Sequence, residues 1–320
     1  MTLSQLRAFA LVARLGSLRA AAAALGISEP AVSSALAALR MDLGDPLFVR
    51  AGGGIALTPG GRALADHAQE IVGLAEQVRR DVAHAQSSIG GLRVLATAAF
   101  AEHAAGRLLD TFTKRVPGSL VDVVVEAAAD VGSLLMDRSY DIALGARPAA
   151  GGPTMDVVPF LRYQRILVAA AAHPLSRLPG PVPVTLLLAH PWFSGPAGVE
   201  DLTEEGRWLP SLEAVPEIVR LTSETDALAA VRAGEGIMLA LGHVVRAEIQ
   251  DGSLAHLPVA GTPIHGLWWA STLDRRRATP SARTLQRFVT TAAATAAMLA
   301  PGGSRGLARR GSKVHVALWS

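Results

Sequence analysis

The segment from Leu18 to Arg50 constrains the fold more than any other part of the chain. An Ala-rich stretch, Leu18 to Leu25, ends at Gly26, and Ser28 then begins a second helix with Pro30 in its first turn. Apolar residues recur in that helix at spacings of four, three and four: Val32, Leu36, Leu39 and Leu43. One face therefore packs inward and the opposite face is polar and exposed. Two helices joined in this way predict a helix-turn-helix, whose second helix is suited to the major groove of DNA.

The residues on either side complete a small domain. A preceding helix has apolar residues at helical spacing, which completes a three-helix core: Leu3, Leu6, Phe9, Ala10 and Ala13. Asp45, Pro46 and the run from Gly52 to Gly54 then predict a turn followed by a hairpin-like wing. We expect residues 1–58 to form a winged helix-turn-helix domain.

The pattern extends in register from Leu6 to Gly61. Its positions are Leu6, Phe9, Gly16, Ser17, Ala21, Ala22, Ser28, Pro30, Ala31, Val32, Ser33, Leu39, Leu43, Gly44, Pro46, Leu47, Phe48, Arg50, Leu57, Thr58 and Gly61. This segment resembles the N-terminus of LysR-type transcriptional regulators. The resemblance implies a regulator that binds double-stranded DNA as a dimer. The alternative is a structural helical pair in an unrelated domain.

The predicted recognition helix has an unusual charge pattern. It contains no Arg or Lys between Ala20 and Leu39, and Glu29 lies where the family usually has Gln. Without a bidentate guanine contact, we expect affinity to rest on phosphate contacts made by Ser17, Arg19, Ser33, Arg50 and Arg62. Ser28, Pro30 and Ser34 complete the predicted DNA-binding surface. Glu29 either selects a cytosine amino group or stabilises the helix N-terminus by its charge.

A long helix is predicted after the wing, because Thr58 and Pro59 are typical of a helix start. Along residues 59–88, apolar residues step alternately by four and three, a repeat typical of a coiled-coil seam. The predicted dimerisation residues are Leu64, Ala68, Ile71, Ala75, Val78 and Val82. The alternative is an amphipathic helix that packs on its own domain. In LysR-type regulators this helix pairs two DNA-binding domains, so the resemblance implies a homodimer on an inverted-repeat operator and a homotetramer built as a dimer of dimers.

Beyond the polar segment Gln86 to Gly91, strands and helices alternate. This order predicts a mostly parallel α/β sheet in residues 92–300, ending in one helix from Ser281 to Leu299. Two crossovers, near Phe160 to Arg165 and near His265 to Trp269, divide it into lobe I (92–162 and 269–300) and lobe II (163–268). The domain resembles the two-lobe, periplasmic-binding-protein-like effector domain of the same family. Residues 301–320 form a basic tail, predicted to be disordered.

A ligand in such a fold lies between the lobes, near the carboxyl ends of strands and the N-termini of helices. The predicted effector-binding residues are Thr97, Ala99, Phe100, Ala128, Arg147, Ser194, Gly195 and Thr225. Arg147 is a candidate for bidentate recognition of a carboxylate; a solvated arginine is the alternative. Ala99 and Ala128 lie where many family members have polar contacts. We therefore expect an anionic effector with an aromatic or branched body.

Several classes are disfavoured by composition. The chain has a net charge of +3 and no cysteine, which excludes disulfides, thiolate metal sites and thiol redox switches. It has no histidine pair at metal-ligand spacing and no phosphate loop, so we expect no metal and no cofactor. The N-terminus lacks the pattern of a secretion signal, and Phe288 to Ala300 is too short to span a bilayer. We therefore expect a cytoplasmic protein without membrane contact.

The sequence predicts a sequence-specific DNA-binding regulator that is not an enzyme and is controlled by a small molecule. Two other classes stay open. One is a two-lobe ligand-binding protein or enzyme with an accessory DNA-binding domain. The other is a ligand-independent architectural DNA binder, which would show little sequence preference at any salt concentration.

Overall fold

The computed structural model describes residues 1–51, 54–85, 91–125, 131–148, 154–198, 203–212, 215–300 and 314–316. These residues divide into two compact units. Unit 1 comprises Met1–Ser87 and Ser133–Ser139, and unit 2 comprises Ser88–Gly132 and Tyr140–Ser320. The first division falls at the end of the predicted linker helix. The inclusion of Ser133–Ser139 in unit 1 has no counterpart in the sequence prediction.

Unit 1 contains the predicted winged helix-turn-helix and one long helix. Its elements are α1 (Leu3–Leu15), α2 (Leu18–Leu25), α3 (Glu29–Leu43), β1 (Phe48–Ala51), β2 (Gly54–Leu57) and α4 (Pro59–Ala85). The hydroxyls of Ser17 and Ser28 accept hydrogen bonds from backbone amides one turn later, at the starts of α2 and α3. Gly26 ends α2 with a φ of 66°, in the left-handed region that glycine adopts without a steric penalty. Local capping therefore sets these helix bounds.

The core of unit 1 is formed by α1, α2 and α3 with part of α4. Its fully buried residues include Phe9, Val32, Leu36, Leu39 and Ala68. The wing joins this core through Phe48 of β1, whose ring centroid lies 5.2 Å from that of Phe9. β1 and β2 pair in the antiparallel orientation of a hairpin. The prediction of a three-helix core with a wing is confirmed.

A tight joint connects the wing to α4. The Asp45 carboxylate accepts hydrogen bonds of 2.6 Å from the Thr58 hydroxyl and from the Leu47 amide, and these two bonds lower the pKa of Asp45. The Thr58 hydroxyl in turn accepts from the Gly61 amide at 2.8 Å. A Cβ on Gly60 would lie 2.2 Å from the Asp45 carboxylate, and one on Gly61 would lie 2.1 Å from the Leu47 carbonyl oxygen. Gly61 is required by this close approach to the backbone, whereas a side chain at Gly60 would displace the Asp45 carboxylate from its hydrogen bonds.

Unit 2 is built on one large sheet and one small sheet. The strands of the large sheet are β3 (Leu92–Ala96), β4 (Val121–Val125), β5 (Ile142–Gly145), β6 (Met155–Ala170), β9 (Met238–Leu241), β10 (Leu254–His256), β11 (Ile264–Leu273) and β12 (Val314–Val316). Their order is β10-β6-β11-β5-β3-β4-β12, and β9 pairs with β6. The small sheet pairs β7 (Trp192–Ser194) with β8 (Ile218–Arg220).

The large sheet is mixed, which corrects the prediction of a mostly parallel sheet. β3 runs parallel to β4 and β5. In contrast, β6 is antiparallel to β9, β10 and β11, and β11 is antiparallel to β5. The reason is that both predicted crossovers lie inside long strands, β6 and β11. The chain passes between the lobes in opposite directions along these two strands, and they pair with each other.

The helices of unit 2 lie between these strands. They are α5 (Ala98–Phe100), a π-helical turn (Ala101–Ala105), α6 (Gly106–Arg115), α7 (Val131–Met136), α8 (Val184–Leu187), α9 (Glu204–Trp208), α10 (Glu224–Arg232), α11 (Arg246–Gln250), α12 (Pro280–Val289) and α13 (Ala292–Leu299), with 3-10 turns at Pro174–Arg177 and Leu209–Ser211. The boundary between the units falls within α7: Val131 and Gly132 belong to unit 2, and the rest of the helix belongs to unit 1.

The predicted single closing helix is wrong, because two helices, α12 and α13, replace it. The Thr291 hydroxyl donates to the Phe288 carbonyl at 2.7 Å and accepts from the Ala294 amide at 3.3 Å. A threonine side chain that bonds to backbone on both sides competes with a continuous helix.

The tail differs from the prediction at three residues. Val314–Val316 form β12, which lies parallel to β4. β4 would otherwise present an edge of unpaired amides and carbonyls, which readily accepts a further strand. Residues 301–313 and 317–320 lie outside the described residues.

Each lobe has its own core. In lobe I, helices α6, α12 and α13 cover β3, β5 and β11 around Phe100, Phe112 and Phe288. In lobe II, Leu167 and Ala169 of β6 face one cluster, whereas Ile166 and Val168 face another. This alternation is that of a strand buried on both faces. Among the described residues, no single helix is long and apolar enough to cross a bilayer; the bent pair of α2 and α3 meets that test by length and composition only.

Candidate functional site

The first turn of α3 presents a small polar surface. Ser28, Glu29 and Pro30 begin the helix, Ser33 and Ser34 follow within the next turn, and all five are exposed. The Ser28 hydroxyl accepts from the Ala31 amide at 3.4 Å, and Pro30 lies where a helix needs no N–H donor. Since the opposite face of α3 is buried in the core of unit 1, the predicted recognition surface is the open side of this helix.

The predicted phosphate-binding residues lie on three other parts of unit 1. The Ser17 hydroxyl caps α2 by accepting from the Ala20 amide at 3.3 Å, and Arg19 is exposed in the first turn of that helix. Arg50 is exposed on β1. The Arg62 guanidinium donates to the Leu57 carbonyl at 2.9 Å, which holds its side chain beside the end of the wing. Each is positioned by local structure of the helix-turn-helix, the wing or α4.

The linker helix carries exposed apolar residues, which we call the apolar stripe. It consists of Ile71, Leu74, Val78 and Val82, with exposed fractions of 42, 46, 53 and 67 %. Their spacings of three, four and four place them on one face of α4. Leu74 is not among the predicted seam residues. Ala75 is predicted to lie in the seam and is half-buried.

Two predicted seam residues are corrected by the structure. Ala68 is fully buried in the core of unit 1, and Leu64 packs against the same core. Both residues face their own domain, because the first turns of α4 close the helix-turn-helix core. The apolar stripe begins only after them.

The predicted effector residues fall into separate environments. Gly195 packs against Glu224, since a Cβ at Gly195 would lie 2.7 Å from the Glu224 Cγ. Thr225 follows Glu224 at the start of α10 and is exposed. Thr97 packs on Gly145, where an added Cβ would lie 2.1 Å from the Thr97 hydroxyl. Ala99 is half-buried in α5, and Ala128 lies outside the described residues.

Phe100, Ser194 and Arg147 are the other predicted effector residues that the structure describes. Phe100 is fully buried between Phe160 and Trp268, with ring centroids 5.7 and 5.0 Å away, so its assignment as a ligand contact is wrong. Ser194 is only 1 % exposed, and its hydroxyl finds no hydrogen-bond partner in the described residues. Arg147 is exposed, and its guanidinium carbon lies 5.0 Å from the Trp269 ring centroid. A stacked arginine retains its in-plane donors for an anion.

The structure reveals a buried group of charged residues that the sequence analysis missed, which we call the charge cluster. Its members are His103, Tyr163, Arg165, Glu204, Glu205 and Glu224. Arg165 of β6 donates to Glu224 at 2.7 Å and to the Leu239 carbonyl at 3.1 Å, and its Nε lies 3.4 Å from Glu204. The Tyr163 hydroxyl donates to Glu204 at 2.6 Å. One arginine thus pairs with carboxylates from both α9 and α10.

The charge cluster extends from lobe II to the π-helical turn of lobe I. The His103 Nε2 lies 3.0 Å from a Glu224 carboxylate oxygen. The adjacent residue, Glu102, accepts hydrogen bonds from the Glu224 and Thr225 amides, at 2.9 and 2.5 Å. These are the first two amides of α10, where a helix N-terminus attracts negative charge. A side-chain carboxylate of lobe I therefore occupies the anion position of a lobe II helix.

Burial and charge shift the pKa values within the cluster in opposite directions. Burial would raise the pKa of Glu224, but Arg165 and His103 outweigh it and hold the pKa at about 2. Burial raises the pKa of Glu205 to about 8, since the attraction of Arg165 offsets it only in part. Burial also raises the pKa of Tyr163, to which the charge of Glu204 adds. Near neutral pH, Glu224 is ionised while Glu205 is largely protonated.

The sequence contained one indication of this cluster. Arg165 directly precedes the apolar end of β6, Ile166 to Ala170, and a charged residue in such a position needs a buried partner. Its carboxylate partners, Glu204 and Glu224, lie 39 and 59 residues away along the chain, and spacing alone did not identify them. In the part of the chain that the structure describes, no group of three or more His, Asp or Glu side chains is arranged to hold a metal ion.

Two family models cover most of the chain. Residues 3–62 match the bacterial regulatory helix-turn-helix protein model of the lysR family, and residues 85–294 match the LysR substrate binding domain. The chain belongs to the LysR family of bacterial transcriptional regulators. The predicted family and fold class are thereby confirmed: a DNA-binding helix-turn-helix domain precedes an effector-binding domain of the LysR type.

Relatives of this LysR-type regulator match along its whole length. An uncharacterized HTH-type transcriptional regulator of Mycobacterium tuberculosis is 40 % identical, and the match covers 100 % of both chains. The HTH-type transcriptional regulator CfxR of Cupriavidus necator is 28 % identical over 90 % of this chain and 91 % of its own.

Solved structures share the fold. LysG of Corynebacterium glutamicum, solved with bound effector Arg, has a TM-score of 0.58 at 19 % identity and covers 92 % of this chain and 98 % of its own. CbnR, solved in complex with its target DNA, has a TM-score of 0.52 at 21 % identity, with coverages of 90 and 99 %.

Proposed function

We propose that this regulator recognises an inverted-repeat operator through the first turn of α3, and that a small anionic effector between the two lobes controls this binding. The observation that carries the proposal is the exposed polar turn of α3, fixed by serine caps on a buried apolar face. The DNA complex of CbnR and the bound effector Arg of LysG support the two halves of the proposal by analogy of fold.

DNA affinity rests on phosphate contacts in this proposal. Arg19, Arg50 and Arg62 supply charge, while Ser17 and Ser33 supply hydroxyl groups. None of these contacts distinguishes one base from another. Sequence preference then comes from Glu29, whose carboxylate can accept from a cytosine amino group. Ser28, Pro30 and Ser34 complete the surface against the groove.

The apolar stripe supports a dimer. Four apolar side chains on one helix face, each more than two-fifths exposed, are unusual for a surface that stays in water. We propose that Ile71, Val78 and Val82 of two copies pack together, with Leu74 and Ala75 beside them. Such a dimer would hold two recognition helices in a fixed relation, and contacts between effector domains would then join two dimers into a tetramer.

The dimer proposal is tested with Ile71→Asp in the full-length protein. A charge buried against its symmetry mate costs several kcal/mol, so we expect light scattering to show loss of the dimer and operator binding to weaken strongly. The matched control is Leu178→Asp, which adds the same charge at an apolar residue of similar exposure outside α4. If Ile71→Asp and the control both behave as wild type, the stripe belongs to a single copy and the dimer proposal fails.

The effector part of the proposal places a ligand between the lobes, with Thr97, Arg147, Ser194, Gly195 and Thr225 as its proposed contacts. Three features support an anion there. Arg147 is exposed and stacked, the buried Ser194 hydroxyl has no partner in the described residues, and a carboxylate already binds the amides at the start of α10. An effector carboxylate would compete with Glu102 for those amides. No step of this function requires a reaction at the ligand.

The complete proposal is tested by selecting random duplex DNA with the purified protein, followed by thermal unfolding with a panel of carboxylic acids. We expect an enriched inverted repeat with half-sites about one helical turn apart. A bound acid should stabilise the wild type by about 2.7 kcal/mol at one hundred times its Kd, and Arg147→Ala should lose that gain. Enrichment of no sequence would favour an architectural DNA binder. An equal response of both proteins would remove Arg147 from the site.

A further inference from the structure

A basic groove opens between the lobes of unit 2. Its volume is about 690 Å³, which is typical of sites for small molecules. Four arginines line it: Arg107 of α6, Arg162 of β6, Arg232 of α10 and Arg246 of α11. They come from four different elements and from both lobes. This convergence distinguishes the groove from the solvated charged face of one helix.

The positive charge of the groove is poorly compensated. Among the described residues that line it, Glu248 is the single acidic one, and it pairs with Arg232 at 2.6 Å. The Arg107 guanidinium donates to the Ala300 carbonyl. Arg162 and Arg246 are exposed and have no ion pair or hydrogen bond from their side chains within the described residues. Two guanidinium groups with unused donors therefore face one groove.

His243 also lines the groove, and its pKa reflects the positive charge there. Burial, together with the positive charges of His103, Arg165, Arg246 and Arg107, lowers the pKa of His243 to about 4. An environment whose positive charge opposes protonation of His243 also favours the binding of an anion.

The groove also has an apolar part. Leu228, Val244 and Met298 contribute to its lining between the arginines. A ligand that fits it has charged groups separated by a carbon or ring framework. Guanidinium groups bind phosphate and carboxylate oxygens through paired N–H donors.

We propose that this groove binds a small polyanion, with two or more phosphate or carboxylate groups held by Arg162 and Arg246. The site goes beyond the effector site proposed above: Thr225 lines the groove and belongs to both, but neither of these arginines belongs to the effector site. It adjoins the charge cluster through His103, which lines the groove and contacts Glu224. A polyanion bound there would bridge β6 and α11.

The test uses the full-length protein with pyrophosphate and citrate as probes. Thermal unfolding and titration calorimetry compare each probe with sodium chloride at equal ionic strength and with benzoate as a monoanion. The variant is Arg162→Gln/Arg246→Gln, and the matched control is Arg177→Gln, an exposed arginine outside the groove. Each lost charge-assisted contact weakens binding by a factor of about ten. We therefore expect the double variant to bind the preferred probe with a Kd about 100-fold higher, and Arg177→Gln to bind as wild type.

The two probes distinguish the ligand classes, since pyrophosphate is preferred by a phosphate site and citrate by a polycarboxylate site. The proposal is overturned if the wild type responds to neither probe beyond the salt control, or if the double variant responds as wild type. It also fails if the double variant changes the oligomeric state in light scattering, because the groove would then be an interface between copies. An Arg147→Ala variant that loses the benzoate response but keeps the polyanion response separates this site from the proposed effector site.

Discussion

The helix-turn-helix and the charge cluster use polar side chains in opposite ways. In the helix-turn-helix, Ser17 and Ser28 are bonded to backbone three residues away, at the exposed ends of helices. In the charge cluster, Arg165 is bonded to Glu224, 59 residues away, and both side chains are about nine-tenths buried. The first arrangement positions one turn of helix, whereas the second joins strands and helices of two lobes.

This difference determines how each region should respond to substitution. An exposed cap can be replaced by water when it is lost, so its removal costs little. A buried ion has no water to replace its partner, so removing that partner costs far more. We expect substitutions in the charge cluster to affect the stability of unit 2, and substitutions in the helix-turn-helix to affect mainly the binding of DNA.

The largest effect should come from Arg165→Met. It leaves Glu204 and Glu224 without their cation, and we expect the free energy of unfolding of unit 2 to fall by about 3–5 kcal/mol. Chemical denaturation followed by the intrinsic fluorescence of its tryptophans measures this loss. Adding Glu224→Gln to the same chain should restore part of it, because one buried charge is removed. A loss below about 1 kcal/mol, typical of surface pairs, would show that the cluster is no different from the exposed contacts.

The second effect is the pH dependence of Glu205→Gln. The pKa of Glu205 is raised to about 8 in the folded protein from an ordinary value of 4.5. Its contribution to stability is therefore fully present below pH 4.5 and is lost as the pH rises to 8, because the unfolded state releases the proton first. We expect the stability of Glu205→Gln relative to wild type to rise by about 1.4 kcal/mol for each pH unit between the two pKa values. Parallel stability curves for the two proteins would contradict the burial of this carboxyl.

A smaller effect is expected for Ser28→Ala at the start of α3. Loss of the N-cap hydrogen bond should lower the stability of unit 1 by about 1 kcal/mol. The matched control is Ser33→Ala, an exposed serine inside the same helix, which should change stability by less than about 0.5 kcal/mol. Thermal unfolding of the three proteins measures the difference. If Ser28→Ala were as damaging as Arg165→Met, the contrast between local and long-range polar contacts would have to be abandoned.

The smallest effect on stability should come from Glu29→Gln, about 0.5 kcal/mol through the lost charge at the helix N-terminus. Its effect on DNA recognition should be larger than its effect on folding. We expect a changed base preference at one position of each half-site, measured by selection from random duplex DNA. An unchanged preference would assign Glu29 to helix stabilisation alone.

The sequence predicted unit 1 well because its structure is encoded locally. Ser28, Gly26 and the apolar spacing of α3 each act within a few residues, so their pattern is visible along the chain. The charge cluster could not be predicted in this way, because Arg165 meets Glu224 only after two sheets have formed. Phe100 was wrongly assigned to the cleft for the same reason, since only the packed lobe shows that it lies between Phe160 and Trp268.

The π-helical turn at Ala101–Ala105 makes the contact between the two lobes sensitive to a change of one residue in the length of the chain. A π turn contains more residues than an α turn, and each residue of a regular helix rotates the chain by about 100°. Deletion of a single residue there would turn Glu102 and His103 away from α10, while the buried face of α6 could keep its place in the core. We therefore expect a one-residue deletion in this turn to break the contact between the lobes while leaving the core of each lobe in place.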